Sequence, residues 1–89
     1  MIKPALEKLL NEQIGHELGA SNAYLGIAVY FAGQSLHTWA DIFYKQAEEE
    51  REHAMKIVRF LVDVEAKIKI PAIKEQATSY KPGLAALQW

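Results

Sequence analysis

Three residues carry metal-binding side chains at a spacing that brings them together: Glu17, Glu50 and His53. Glu50 and His53 are three residues apart, so on a helix their side chains project side by side. Carboxylate oxygens combined with imidazole nitrogen form a donor set that suits iron, manganese or zinc. The chain has no cysteine, which excludes thiolate ligands and disulfide bonds. The sequence therefore predicts a metal site built from oxygen and nitrogen.

Two long helices are predicted to position these side chains, one over about 4–32 and one over about 36–66. Pro4 suits the first turn of a helix, where its missing N–H costs nothing. Gly33-Gln34-Ser35 indicates a short break, with the glycine at the C-terminus of the first helix. A connection this short predicts antiparallel neighbours, whose middles meet. Glu17 on one helix then approaches Glu50 and His53 on the other.

Apolar stripes at helical spacing indicate which faces are buried. The stripe of the first helix is Leu6, Leu10, Ile14, Leu18 or Ser21, Leu25 and Ala28. The stripe of the second helix is Trp39, Ile42, Phe43, Gln46, Glu50, His53, Ile57, Phe60, Leu61 and Val64. Hydrophobic residues make up 51% of these 89 residues, which is more than two helices can cover for one another. We therefore expect an all-α hairpin that dimerises into a four-helix bundle.

The remainder of the chain, 67–89, is predicted to be an extended tail, interrupted by Pro71 and by Pro82-Gly83. The two helices and this tail are treated as one unit, 1–89. Gly15, Gly19 and Gly26 fall on one face of the first helix, and each interior glycine costs about 1 kcal/mol relative to alanine. A row of glycines is typical of a close backbone approach. The hypothesis is a tight helix crossing at a further subunit contact.

Charge and hydropathy exclude several classes of partner. The formal net charge is −1, so nothing indicates binding to nucleic acid or to an acidic membrane surface. No apolar run approaches the ~20 residues that a membrane span needs. The N-terminal residues lack the apolar core of a signal peptide, so we expect a cytoplasmic protein.

Burial of two carboxylates needs compensation, because each buried charge costs several kcal/mol. A pair of divalent cations would supply it. Two copies of the chain would offer four carboxylates and two imidazoles, which matches the ligand set of di-iron and di-manganese carboxylate bundles. A buried hydrogen-bonded cluster without metal is the alternative. His16 and His37 are expected to be solvated, and His16 points about 100° away from Glu17 on the helix.

The motifs around these residues resemble those of non-haem ferritins. The first helix carries Leu10-Asn11-Glu12-Gln13, Glu17 and Ala20-Ser21-Asn22-Ala23-Tyr24-Leu25. The second helix carries Gln46-Ala47-Glu48-Glu49-Glu50-Arg51-Glu52-His53-Ala54, whose Glu-Glu-x-x-His run is the most specific part. The tail, with Ile70-Pro71-Ala72-Ile73 and Gly83-Leu84-Ala85-Ala86-Leu87, resembles the long connection of ferritins. The resemblance covers nearly the whole chain but only the first half of a ferritin.

This resemblance implies a ferroxidase centre in which Glu17, Glu50 and His53 are both the catalytic residues and the metal ligands. Glu50 would bridge two metals, and Glu17 and His53 would bind one metal each. Glu49 matches an accessory iron ligand of some bacterial members, and Tyr24 matches a tyrosine beside the centre.

Gln13 and Gln46 lie one turn from these ligands and are expected to hydrogen-bond to them.

The expected function is oxidation of Fe(II) by dioxygen at a centre of two irons per homodimer, for iron storage or detoxification. No haem is expected, because bacterioferritins bind it through a methionine located where this chain has Arg51 and Glu52. A metal-binding subunit without turnover, or a truncated structural remnant of a ferritin, remains the alternative.

Overall fold

In the computed structural model, which describes residues 2–80, the chain forms two long helices followed by an extended tail. Helix α1 spans Pro4–Gly33 and helix α2 spans His37–Asp63. They pack as an antiparallel hairpin, and helix is the only regular secondary structure between residues 2 and 80. This confirms the all-α prediction. Within that range, neither helix combines the length and apolar character that a membrane crossing requires.

Both helices end in the same way, with a non-glycine residue in the left-handed conformation. After α1, Ser35 has φ 59°, and the Leu36 and Ser35 amides donate to the Phe31 and Ala32 carbonyls at 2.9 and 3.0 Å. After α2, Glu65 has φ 57° and occupies the equivalent position. These hydrogen bonds form a Schellman motif, which satisfies the last carbonyls of a helix. Gly33, predicted to end α1, is still helical, and α2 ends three residues before the expected 66.

The interface between α1 and α2 is lined by small residues. Ala40, Ala47, Ala54 and Leu61 recur every seventh residue along α2, and all four are buried. On α1 the buried Ser21 hydroxyl donates to the Ala47 carbonyl at 2.7 Å. A side chain can reach the backbone of the opposite helix only if the helices lie close together. The small side chains of this interface therefore allow the two backbones to approach.

The large apolar residues predicted as the α2 stripe lie mostly outside this interface. Trp39, Ile42 and Phe60 are 50%, 49% and 45% exposed. Together with His53 and the half-buried Ile57, they form a band along α2 that α1 leaves uncovered. We call this band the open stripe. A single hairpin cannot bury it, so the excess of apolar surface expected from composition is present.

An aromatic cluster closes the end of the hairpin where the helices connect. Phe31 stacks on Phe43 at a centroid distance of 5.7 Å, and Tyr24 also stacks on Phe43, at 5.9 Å. Ile27, Phe31 and Ala40 are the buried centre of this cluster. The cluster fixes the rotation of α2 against α1 at this end.

The tail returns along α1 and is attached to it at several points. The Asn11 side chain donates to the Lys67 carbonyl at 2.9 Å and accepts from the Lys69 amide at 2.7 Å. Tyr80 packs edge-on against Tyr30 at 5.2 Å. Between these points the tail runs close to the backbone of α1, and two glycines of α1 leave the space that it occupies.

These two glycines are Gly15 and Gly26. A Cβ at Gly26 would collide with the Ala77 carbonyl oxygen, and one at Gly15 would lie 3.4 Å from Pro71 Cγ. At these positions the chain's own tail, and not another subunit, makes the close approach. The tail therefore occupies the place of the expected helix crossing at Gly15 and Gly26, and for Gly19 the crossing stays a prediction. Gly19 has no neighbour within 4 Å.

Candidate metal centre

The middles of the two helices bring Glu17, Glu50 and His53 together. One ligand atom from each of the three residues lies within 4.8 Å of the others. His53 Nδ1 is 3.2 Å from Glu17 Oε2 and 3.6 Å from Glu50 Oε2. Among residues 2–80, this is the one cluster of His, Asp and Glu side chains with a geometry suited to a metal ion.

The cluster lies at the edge of the α1–α2 interface and opens on the open stripe. The Glu17 and Glu50 side chains are 16% and 18% exposed, whereas His53 is 54% exposed. Both carboxyl groups are therefore partly shielded from solvent, whereas the imidazole faces the solvent. One side of the cluster is accessible to a further ligand or to another protein surface.

The carboxyl groups of Glu17 and Glu50 shift each other's pKa because they lie close enough to share a proton. A hydrogen bond with Glu50 is the main cause that lowers the pKa of Glu17 below its ordinary value of 4.5. The same hydrogen bond is the main cause that raises the pKa of Glu50 above 4.5. Without a cation, one carboxyl of the pair thus holds a proton more tightly than an isolated glutamate. A cation placed between the two would replace that proton.

The predicted supporting glutamines lie beside the carboxylates. Gln13 Nε2 donates to Glu17 Oε1 at 2.9 Å. Gln46 lies one turn before Glu50 on α2, and its amide partly offsets the rise in the Glu50 pKa. Tyr24 lies two turns beyond Glu17 on α1, with its ring in the aromatic cluster.

Glu49, His16 and His37 lie apart from the three-residue cluster. Glu49 is exposed and lines a shallow depression with Glu48, Glu52, His53 and two lysines. A ligand role for Glu49 therefore stays a prediction. His16 and His37 are exposed, as expected.

Sequence reasoning missed Asn11, whose side chain fixes the start of the tail. A polar residue inside a helix gave no distinct signal of this contact.

The donor set fits a transition metal but is incomplete for a pair of them. Two carboxylates and one imidazole suit iron, manganese or zinc. The three donor atoms are close enough to bind one ion together or to divide between two. Metal-binding bundles of the carboxylate class use twice this number of side chains. The chain therefore supplies half the number of ligand side chains that such a bundle uses.

Comparison with known proteins places this arrangement in a family context. The model of the ferritin-like domain matches residues 7–88. Ferritin BfrB of Mycobacterium tuberculosis is 42% identical over 71 residues, which are 80% of this chain and 39% of the relative. A bacterial non-heme ferritin of Campylobacter jejuni is 30% identical over 81 residues, 91% of this chain and 48% of the relative.

Solved structures give the same result. The open-pore ferritin of Archaeoglobus fulgidus superposes with a TM-score of 0.87 at 30% identity, covering 99% of this chain and 54% of that chain. The chain thus spans less than half the length of the curated relatives it matches. BfrB is also called a bacterioferritin, so the expected absence of haem stays a prediction.

Proposed function

We propose an iron-handling function for this chain, which belongs to the ferritin-like family of iron-storage proteins. Two copies would form a di-iron ferroxidase centre from Glu17, Glu50 and His53 of each chain. The centre would oxidise Fe(II) with dioxygen for iron storage or detoxification in the cytoplasm. The observation that carries the proposal is the convergence of three ligand atoms within 4.8 Å beside an uncovered apolar surface.

The open stripe supports the involvement of a second copy. Trp39, Ile42 and Phe60 flank the ligands along α2 and are each about half exposed. Full burial of a large apolar side chain contributes roughly 1.5–3 kcal/mol, and about half of that gain is still available at each of these half-exposed residues. A second hairpin related by a two-fold axis would cover these residues and bring its own three ligands opposite the first set. The dimer interface and the active site would then be the same surface.

In this arrangement each residue has a distinct task. Glu50 of each chain would be the ligand that the two iron ions share, as the resemblance to non-haem ferritins implies. Glu17 and His53 would each hold one ion from the side. Two bound Fe(II) ions together supply two electrons to dioxygen, and three ligands per chain leave coordination positions open for it.

The proposal is tested by native mass spectrometry with metal analysis, followed by oxygen-uptake measurements on Fe(II) addition. We expect a dimer or a larger even oligomer with two irons per dimer, and an absorbance change that requires oxygen. The Glu50→Ala variant should lose both the bound iron and the oxygen-dependent absorbance change. Glu48→Ala is the matched control, because Glu48 is an exposed glutamate of the same helix outside the cluster.

Two other results would assign different functions. Binding of two metal ions per dimer without oxygen consumption would indicate a carrier or storage subunit without turnover. A dimer that binds no stoichiometric metal would indicate a structural remnant of a ferritin.

A further inference from the structure

The same pair of residues occurs on both helices of the site. Gln13 precedes Glu17 by four residues on α1, and Gln46 precedes Glu50 by four residues on α2. Side chains four apart on a helix are neighbours on one face, so each amide lies beside its carboxylate. The contact from Gln13 is well defined, with Nε2 2.9 Å from Glu17 Oε1.

The two oxygens of Glu17 therefore have different surroundings. Oε1 accepts the hydrogen bond from Gln13 on the same helix. Oε2 points across to α2, where it lies 3.2 Å from His53 Nδ1. Only Oε2 faces the other ligand atoms of the cluster. If both oxygens bound one ion, Oε1 would have to turn away from the amide.

We propose that Gln13 fixes Glu17 as a one-oxygen metal ligand, with Oε2 on the metal and Oε1 kept on the Gln13 amide. This inference rests on the proposed metal centre and deepens it. Gln13 is a positioning residue, since it acts through Glu17 and does not touch the metal. Because Glu17 then occupies one coordination position instead of two, a position stays open at that ion.

The test uses the full chain with Zn(II) as a diamagnetic probe. Gln13→Met keeps the side-chain length and removes the donor, and Gln34→Met, at an exposed glutamine between the helices, is the control. The side-chain amide signals of Gln13 are identified in 15N–1H NMR spectra as the pair that Gln13→Met lacks. We expect these signals to keep their hydrogen-bonded shift when zinc is added.

Infrared difference spectra supply a second measurement. The separation between the asymmetric and symmetric carboxylate stretches is wide for one-oxygen binding and narrow for two-oxygen binding. For one carboxylate we expect the separation between the two stretches to decrease in Gln13→Met. In Gln34→Met the separation should stay as wide as in the unaltered chain. Zinc affinity should fall about 10-fold in Gln13→Met, as is typical when the partner of a metal ligand is removed.

Failure of this inference differs from failure of the proposed function. If zinc binds but releases the Gln13 amide, or if Gln13→Met has the bands and affinity of the unaltered chain, the one-oxygen assignment is wrong and the metal centre stands. If the unaltered chain binds no zinc, iron or cobalt, both are overturned.

Discussion

Glu17 and Glu50 approach each other from opposite helices closely enough for their carboxyl groups to share a proton. In the metal-free chain this proximity is favourable while one carboxyl is protonated and unfavourable once both are ionised. In the proposed metal centre, this pair would therefore be arranged for a cation at some cost to the stability of the metal-free chain. Residues that bind or react often stand in such locally unfavourable positions.

This relationship predicts that Glu50→Gln stabilises the metal-free protein at pH 7. The raised pKa of Glu50 means that its stabilising contribution exists in the protonated form, below about 4.5, and is lost as the pH rises. The lowered pKa of Glu17 acts oppositely, with a contribution present above 4.5 and lost as the pH falls through its folded value. A glutamine at position 50 keeps its N–H donor at every pH, so it can donate to ionised Glu17 at pH 7, where an ionised Glu50 cannot.

Thermal unfolding in the presence of a chelator measures this effect. The melting temperature of Glu50→Gln should exceed that of the unaltered chain at pH 7, and the difference should shrink towards pH 4.5. Glu49→Gln, at an exposed neighbour, controls for the change in net charge. Equal melting temperatures of Glu50→Gln and the unaltered chain at pH 7 would show that the carboxyl pair does not strain the chain.

Metal addition should reverse the order of stability. A ligand at 100 times its Kd stabilises the folded state by ~2.7 kcal/mol, and 1 kcal/mol shifts the melting temperature of a domain this small by ~4–8 °C. Zn(II) or anaerobic Fe(II) should therefore raise the melting temperature by roughly 10–20 °C. His53→Ala should abolish the rise and His16→Ala should keep it, since only His53 lies in the cluster. A rise that survives His53→Ala would place the metal elsewhere.

Disruption of the open stripe should remove iron oxidation without touching a ligand. Ile57 is half-buried on the stripe, one turn from His53, and Ile57→Asp would place a charge in the proposed dimer interface. Val62→Asp is the control, because Val62 is exposed on α2 outside the stripe. Analytical ultracentrifugation and stopped-flow iron oxidation should show a monomer without activity for Ile57→Asp only. A monomeric variant that oxidises Fe(II) at the rate of the unaltered chain would rule out a shared site.

Substitution by alanine should have opposite effects on the stability of the chain at two glycines of α1. Gly19→Ala meets open space and should stabilise the chain by about 1 kcal/mol through helix propensity. Gly26→Ala forces a Cβ onto the Ala77 carbonyl, so the tail must move, and overpacking of this kind costs ~1–3 kcal/mol. Urea unfolding should separate the two variants by roughly 2 kcal/mol. Equal stabilities would mean that the tail does not hold its place against α1.

The sequence predicted the hairpin and the convergence of Glu17, Glu50 and His53, because helix spacing and a short connection determine both. It did not identify the alanines that line the inter-helix face, since large residues such as Trp39 and Phe60 dominate an apolar pattern while alanines contribute little to it. The path of the tail was also beyond prediction. That path depends on Asn11 and Gly26, whose partners are more than 50 residues away along the chain.

The contacts of the alanine-lined interface and those of the open stripe would form at different stages of folding and assembly. The alanine-lined interface joins two segments of one chain that a three-residue connection links, so its contacts form at a rate independent of protein concentration. In the proposed dimer, the open stripe would be covered only when another chain arrives, so this step would be second order in protein concentration. A newly synthesised chain would thus have its three ligands assembled early but would wait for a collision before it could act. Expression level, and not only iron supply, would then set how quickly the activity appears.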